Sequence, residues 1–242
     1  MANCQTSNFR RVRACGLATG LLFASAGPTV AQWTVGADFV SRYVWRGFDF
    51  GEAFSVQPAL AYSDGGFEIG AWGSFTVSAA GATKGLGSAA NEADAYVGYT
   101  VKSESGLSVG VTLRDHYFPG SETDMGFGDA DSHNVEAMVT FVGPEIFPVD
   151  LMVAAMTDGS GTYVEAGFLL AEGDVAVRAH VGGVTGESDF YGLDSGGIVN
   201  VGVTGSTSLA VTDSFSLPIF SQVILNPEVD RALMVFGFSL SN

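Results

Sequence analysis

The stretch FSVQPALAYSDGGFEIGAWGSFTV, residues 54–77, decides the fold. In its second half Phe67, Ile69, Ala71, Phe75 and Val77 fall on one parity, and Glu68, Gly70, Ser74 and Thr76, joined by Trp72, on the other. A period of two places each set on one side of a sheet. Asp64-Gly65-Gly66 separates this run from the one before it, and Asp-Gly is a strong signal for a tight hairpin turn.

Working outward, the same alternation recurs. Leu107, Val109, Val111 and Leu113 oppose Ser108, Gly110, Thr112 and Arg114, and Val175, Val177, Ala179 and Val181 oppose Asp174, Arg178, His180 and Gly182. The pattern predicts twelve strands, at 33–46, 54–63, 66–77, 92–102, 106–117, 133–143, 149–156, 161–171, 174–183, 197–211, 214–225 and 230–240. The even-numbered connections are tight turns, the sixth (143–148) being longer and carrying two prolines. Most odd-numbered ones are long, as at 78–91, 118–132 and 184–196, with the first (47–53), seventh (157–160) and eleventh (226–229) short. Long loops at one end of an up-and-down sheet and short turns at the other are the pattern of an outer-membrane β-barrel. The expected fold is therefore an all-β, transmembrane, antiparallel up-and-down barrel of about twelve strands, apolar faces toward lipid and polar faces inside.

Composition agrees. Of the 242 residues 47% are hydrophobic and 15% charged, with 33 glycines. After residue 31 no segment reaches the ~18 consecutive apolar residues of a spanning helix. A lipocalin-like barrel or β-sandwich would turn its apolar faces inward and need many surface charges, whereas the polar faces here are mostly Gly, Ser, Thr and Ala. Aromatics gather near strand ends (Trp33, Tyr43, Trp45, Tyr96, Tyr99, Tyr117, Phe118, Phe215, Phe220, Phe236, Phe238), where interfacial belts form.

Residues 1–31 read as a secretory signal peptide, with Arg10, Arg11 and Arg13 ahead of a short apolar stretch and Thr29-Val30-Ala31 before the cleavage site; residues 32–242 form the barrel domain. Both cysteines, Cys4 and Cys15, lie in the signal, so the exported chain folds without a disulfide. All 26 acidic residues follow residue 31 but only 7 Lys and Arg do, a net charge of −19 with His neutral. This excludes nucleic acid as a partner, since a phosphate backbone needs Lys and Arg, and biases any passage toward cations or neutral molecules. The expected location is the bacterial outer membrane. The expected partners are its lipids, the barrel-insertion machinery and small-molecule solutes, with the chain a monomer.

Ser41-Arg42-Tyr43-Val44-Trp45-Arg46-Gly47-Phe48, Gln57-Pro58-Ala59-Leu60 and Gly66 through Ser74 together resemble the Gcw-chp family of bacterial outer-membrane proteins. Its members open with a strand, an aromatic-Arg-Gly turn and a Gly-x-Trp-x-Ser strand. The ending, Leu217-Pro218-Ile219-Phe220 through Asn226-Pro227 to Phe236-Gly237-Phe238, is similar as well. The resemblance implies a small outer-membrane barrel of poorly defined function. The chain departs from outer-membrane barrels in general by ending Phe238-Ser239-Leu240-Ser241-Asn242 rather than on an aromatic residue.

The pore-lining candidates are Asp38, Arg42 and Arg46 on the first strand, with Glu68, Asp94, Arg114, Glu136, Glu165, Arg178 and His180. Charges inside a barrel must pair or be hydrated. These residues therefore either set selectivity or form an internal salt-bridge network, with Arg42 and Arg46 pairing to lumenal carboxylates. The loop 118–132, with Glu122, Asp124, Asp129 and Asp131 and with Asp115 nearby, is acidic enough to attract Ca²⁺ but lacks the EF-hand spacing. His116, His133 and His180 are the only bases for a Ser-His hydrolase, and the serines, including that of Gly106-Leu107-Ser108-Val109-Gly110 at the start of the fifth predicted strand, lie in ordinary turns or strands, so no enzyme is expected. No Walker loop, Rossmann fingerprint or zinc spacing occurs, and no cofactor or metal is called for. The function expected is passive, porin-like passage of small solutes. The alternative is a plugged barrel serving as a structural or surface-interaction protein, and a lipid-modifying barrel enzyme is the third reading.

Overall fold

A computed structural model describes residues 31–50, 53–77, 91–119 and 126–242. The proposed signal peptide, most of the loop 78–91, and Glu122 and Asp124 lie outside the described residues. The chain forms β1 (Gln32–Val40), β2 (Val44–Trp45), β3 (Phe48–Asp49), β4 (Ser55–Asp64), β5 (Phe67–Thr76), β6 (Asn91–Lys102), β7 (Ser108–Tyr117), β8 (His133–Val142), β9 (Val149–Met156), β10 (Thr162–Ala171), β11 (Ala176–Val184), β12 (Gly197–Thr212), β13 (Phe215–Asn226) and β14 (Arg231–Ser241). Twelve of these, all but β2 and β3, close into one antiparallel barrel in which each strand pairs with its successor and β1 pairs with β14. Closure leaves no strand edge unpaired, which removes the need for covalent staples. No described helix is long and apolar enough to cross a membrane.

The alternation works as the sequence indicates. Ile69, Val111, Leu113, Val153 and Val203 are exposed on the outside of the barrel, while Glu136, Asp94 and Arg114 are buried inside. The turn between β4 and β5 has positive φ at both central residues, Gly65 (56°) and Gly66 (94°), the backbone of a type I′ hairpin. Its centre is thus Gly65-Gly66, with Asp64 paired to Phe67 in the ladder.

Two expectations fail, both at the first connection and inside the wall. The first strand ends at Val40, not at residue 46. Residues 41–50 leave the wall and turn back into the barrel, where β2 and β3 make a small hairpin of their own. Arg42 and Arg46 are therefore not on a wall strand. Tyr43 and Trp45, read as belt aromatics, are buried, and so are Tyr96 and Phe220, because their parity points them inward. The interior is not uniformly polar either. Tyr43, Trp45, Phe48, Trp72, Met138, Met152, Tyr163 and Tyr191 form a continuous apolar and aromatic core within it. A second cluster of Val40, Val44, Phe220, Ile224, Leu233 and Val235 packs the hairpin against β13 and β14.

Replacing Gly66 by Ala puts a side chain on a left-handed backbone and within 2.4 Å of the Thr100 carbonyl oxygen. The expected cost is about 1–3 kcal/mol, read as a lowered urea midpoint of the folded barrel. The same change at Gly65, where nothing lies within 4 Å, brings only the backbone strain and a smaller loss.

Candidate functional site

The site is the barrel interior around the inserted hairpin. Arg46 and Gly47 form its turn, with φ of 48° and 86°. Gly47 supplies left-handed freedom and also room, since a Cβ there would sit 1.9 Å from the carbonyl oxygen of Val199 on β12. The backbone of the tip thus lies directly against the wall. Asn226, at the end of β13, donates its Nδ2 to the Gly47 carbonyl at 3.2 Å.

Arg46 itself has left-handed φ, an uncommon state for a residue with a side chain. What holds it there is the pairing of its guanidinium. Nη1 and Nη2 reach the two carboxylate oxygens of Glu136 on β8, at 2.6 and 2.9 Å. Nη1 also donates to the Tyr191 hydroxyl. The guanidinium carbon lies 4.4 Å from the centre of the Trp45 ring and 4.5 Å from that of Tyr163. Trp45 stacks on Tyr191 with centroids 5.6 Å apart and planes 4° from parallel. A buried arginine is tolerable when bidentate, planar and sandwiched in this way. Burial pushes the Tyr191 hydroxyl up to about 12, so it stays a neutral phenol beside Arg46. Its connection is pinned by Ser188, whose Oγ donates to the Ser160 carbonyl at 2.6 Å.

The other candidates pair with one another around this centre. Arg114 Nη1 donates to Asp94 Oδ2 at 2.8 Å, and Arg178 is bonded to Asp150. Arg42, at the mouth, meets Asp49 at 2.7 Å. Glu165 accepts from the Tyr163 hydroxyl at 2.5 Å and from Asn200 Nδ2 at 2.9 Å, and Asn200 in turn holds His180 at 3.0 Å. Glu68 accepts from Ser63 at 2.9 Å near the short-turn end. Asp38 shares the inner face with Ser239, its register partner on β14. All ten candidates therefore lie on the inside or at the mouth of the barrel. Arg46, Asp94, Arg114 and Glu136 come together with Glu165 around one cavity of about 20 Å³, while Asp38, Arg42, Glu68, Arg178 and His180 lie apart from it. On the acidic loop, Asp129 caps a short turn by accepting from the Asp131 N–H at 3.1 Å, and Asp115 is bonded to His133 at 2.8 Å.

Glu92, Asp150 and Tyr191 are not singled out by the sequence reading, and His116 enters it only as a hydrolase base. Glu92, His116 and Asp150 carried a usable signal. Glu92 shares parity with Asp94, His116 with Arg114, and Asp150 with the buried Met152 and Ala154. Tyr191 sits in a connection, where no periodicity operates.

The model of a family described as "Bacterial protein of unknown function (Gcw_chp)" matches residues 24–196. The chain belongs to this family. The Gcw_chp match takes in the inserted hairpin, Glu136, Tyr163 and Tyr191, and it extends through the middle strands, beyond the opening motifs that carry the resemblance in the sequence. The similar ending, from Leu217 onward, lies outside it. No curated protein matches the chain.

Replacing Arg46 by Met strands the Glu136 carboxylate in the interior, at an expected cost of about 3–5 kcal/mol in unfolding free energy. The double replacement Arg46→Met with Glu136→Leu removes both charges and recovers most of that loss, as measured by denaturant midpoints of the two variants side by side.

Proposed function

We propose that this chain is an exported outer-membrane barrel kept shut by its own first connection, working as a structural or surface-interaction protein rather than as a standing pore. The observation that carries this reading is the hairpin of β2 and β3, seated by Arg46 on Glu136 and packed among Trp45, Tyr163 and Tyr191. The cavity beside it holds about 20 Å³, space for about one water and not for a solute. Four of the seven Lys and Arg that follow residue 31 are each bonded to a carboxylate (Arg42, Arg46, Arg114 and Arg178), so these cations are engaged in the filling of the barrel. Porin-like passage would require the hairpin to leave and the Arg46–Glu136 pair to break.

The membrane part of the proposal rests on the outer surface. Val111 is 53% exposed, Leu113 47%, Ile69 49% and Val153 46%, a girdle that water would leave unsatisfied and lipid would cover. Lipids, the insertion machinery during biogenesis and contacts made through the long connections are the partners proposed, and no catalysis is assigned.

In planar bilayers the wild-type barrel is expected to show no conductance steps. Val40 and Ser55 are paired neighbours, so a four-residue Gly-Ser turn can replace 41–54; that variant is expected to show discrete steps. Steady steps from the wild type at the same protein concentration would overturn the closed reading. Separately, Val111→Arg, near the middle of β7, is expected to cost about 2–4 kcal/mol in vesicles if lipid surrounds this face. An unchanged unfolding curve would remove the lipid from the argument.

A further inference from the structure

We infer that Glu92, Asp94 and His116 form a divalent transition-metal site of the Zn²⁺ class in the barrel interior, a proposal independent of whether the barrel conducts. Glu92 and Asp94 stand two apart on β6 and so face the same way, and His116 is the direct register partner of Asp94 on β7. All three are buried, at 2%, 4% and 2% exposure. Each offers one ligand atom, and those atoms lie within 4.8 Å of one another. His116 Nδ1 is 3.0 Å from Glu92 Oε1 and 3.3 Å from Asp94 Oδ2. Ligands about 2.0–2.1 Å from a tetrahedral ion sit about 3.3 Å from each other, so these two edges fit one small cation.

Three further observations point to a ligand. Asp94 Oδ2, the oxygen nearest His116 Nδ1, is shared with Arg114, whereas Asp94 Oδ1 is fully buried and accepts no hydrogen bond among the described residues, so the carboxylate keeps one oxygen open to an ion. A buried carboxylate oxygen without a partner is costly, and a bound ion removes that cost. The charges are also unequal. Glu136 is taken by Arg46 and Asp94 by Arg114, which leaves Glu92, among the described residues, with a tyrosine hydroxyl and an imidazole but no guanidinium. Finally, the three residues line the 20 Å³ cavity, which has room for the one water that would complete four-coordination.

The surroundings match what metal ligands need. The Tyr43 hydroxyl donates to Glu92 Oε2 at 2.6 Å and orients it. With the metal on Nδ1, His116 carries its proton on Nε2, which faces Glu136 Oε2 at 3.5 Å. A carboxylate behind a ligating imidazole is the usual outer-shell arrangement. One imidazole and two carboxylates suit Zn²⁺, Co²⁺ or Mn²⁺. Ca²⁺ takes six to eight oxygens and would find too few here. Tyr43 belongs to the inserted segment, so the ion also ties that segment to β6.

The test uses the whole mature barrel refolded in detergent from metal-free buffer, with folding checked by heat-modifiable gel mobility and Zn²⁺ binding followed by calorimetry. One Zn²⁺ per chain is expected, weakened at least tenfold by His116→Gln and by Asp94→Asn. His133→Ala, at the other carboxylate-bonded histidine, leaves it unchanged. Absence of saturable binding, full binding in His116→Gln, or loss in His133→Ala overturns the site. Should His116→Gln and Asp94→Asn both fail to fold, zinc absorption-edge spectroscopy of the wild type decides. One imidazole with oxygens at about 2.0–2.1 Å supports the site, and an oxygen-only shell or unbound zinc rejects it.

Discussion

A single guanidinium governs the interior of this protein. Arg46 is brought into the barrel on a two-residue turn and meets Glu136 there through both nitrogens. An unpaired charge in that position would be intolerable, and a pair held by one hydrogen bond would be marginal. The bidentate geometry, the Tyr191 hydroxyl and the two aromatic faces together make it stable. Everything else inside is arranged around that fact. Trp45 lies under the guanidinium, Tyr191 lies parallel to Trp45, and the connection carrying Tyr191 is fastened to the neighbouring turn by Ser188.

The wall and the filling obey different rules. The wall is period two, and its outer face needs only to be apolar, so many residues satisfy it equally well. The inner face must match particular partners across the lumen. Arg114 needs Asp94, Arg178 needs Asp150, and Glu165 needs Tyr163 and Asn200. Specificity therefore resides inside, where strands distant in sequence exchange side chains, and the outer surface sets only the medium the barrel fits.

The same division explains what the amino-acid sequence discloses. Strands such as 149–156 and 197–212 were legible almost to the residue, because alternation is local and closure follows from an even count of antiparallel strands. The inward turn at 46–47 was not. Tyr43-Val44-Trp45 alternates as a wall strand does, and the Arg-Gly turn after it is a weaker hairpin signal than Asp-Gly. Only the demand of Arg46 for a carboxylate far along the chain distinguishes insertion from continuation. Residues on the strands, among them Asp94, Arg114 and Glu136, could be assigned to the inside by parity alone. Their pairing could not, since Glu136 is nearer in sequence to Arg114 and Arg178 than to Arg46.

The hydrogen bond from Asn226 to the Gly47 carbonyl joins residues 179 apart in the chain. Around it the tip touches β12 through Val199 and β8 through Glu136. No partial ring offers this nest, because two of its sides come from β12 and β13, late in the chain. The segment that emerges among the first must therefore wait, solvated, until the last hairpins arrive, and high loop-closure entropy makes that wait long. Ring closure and the seating of residues 43–50 are consequently one event, and a segment near the start of the barrel is the last to reach its place.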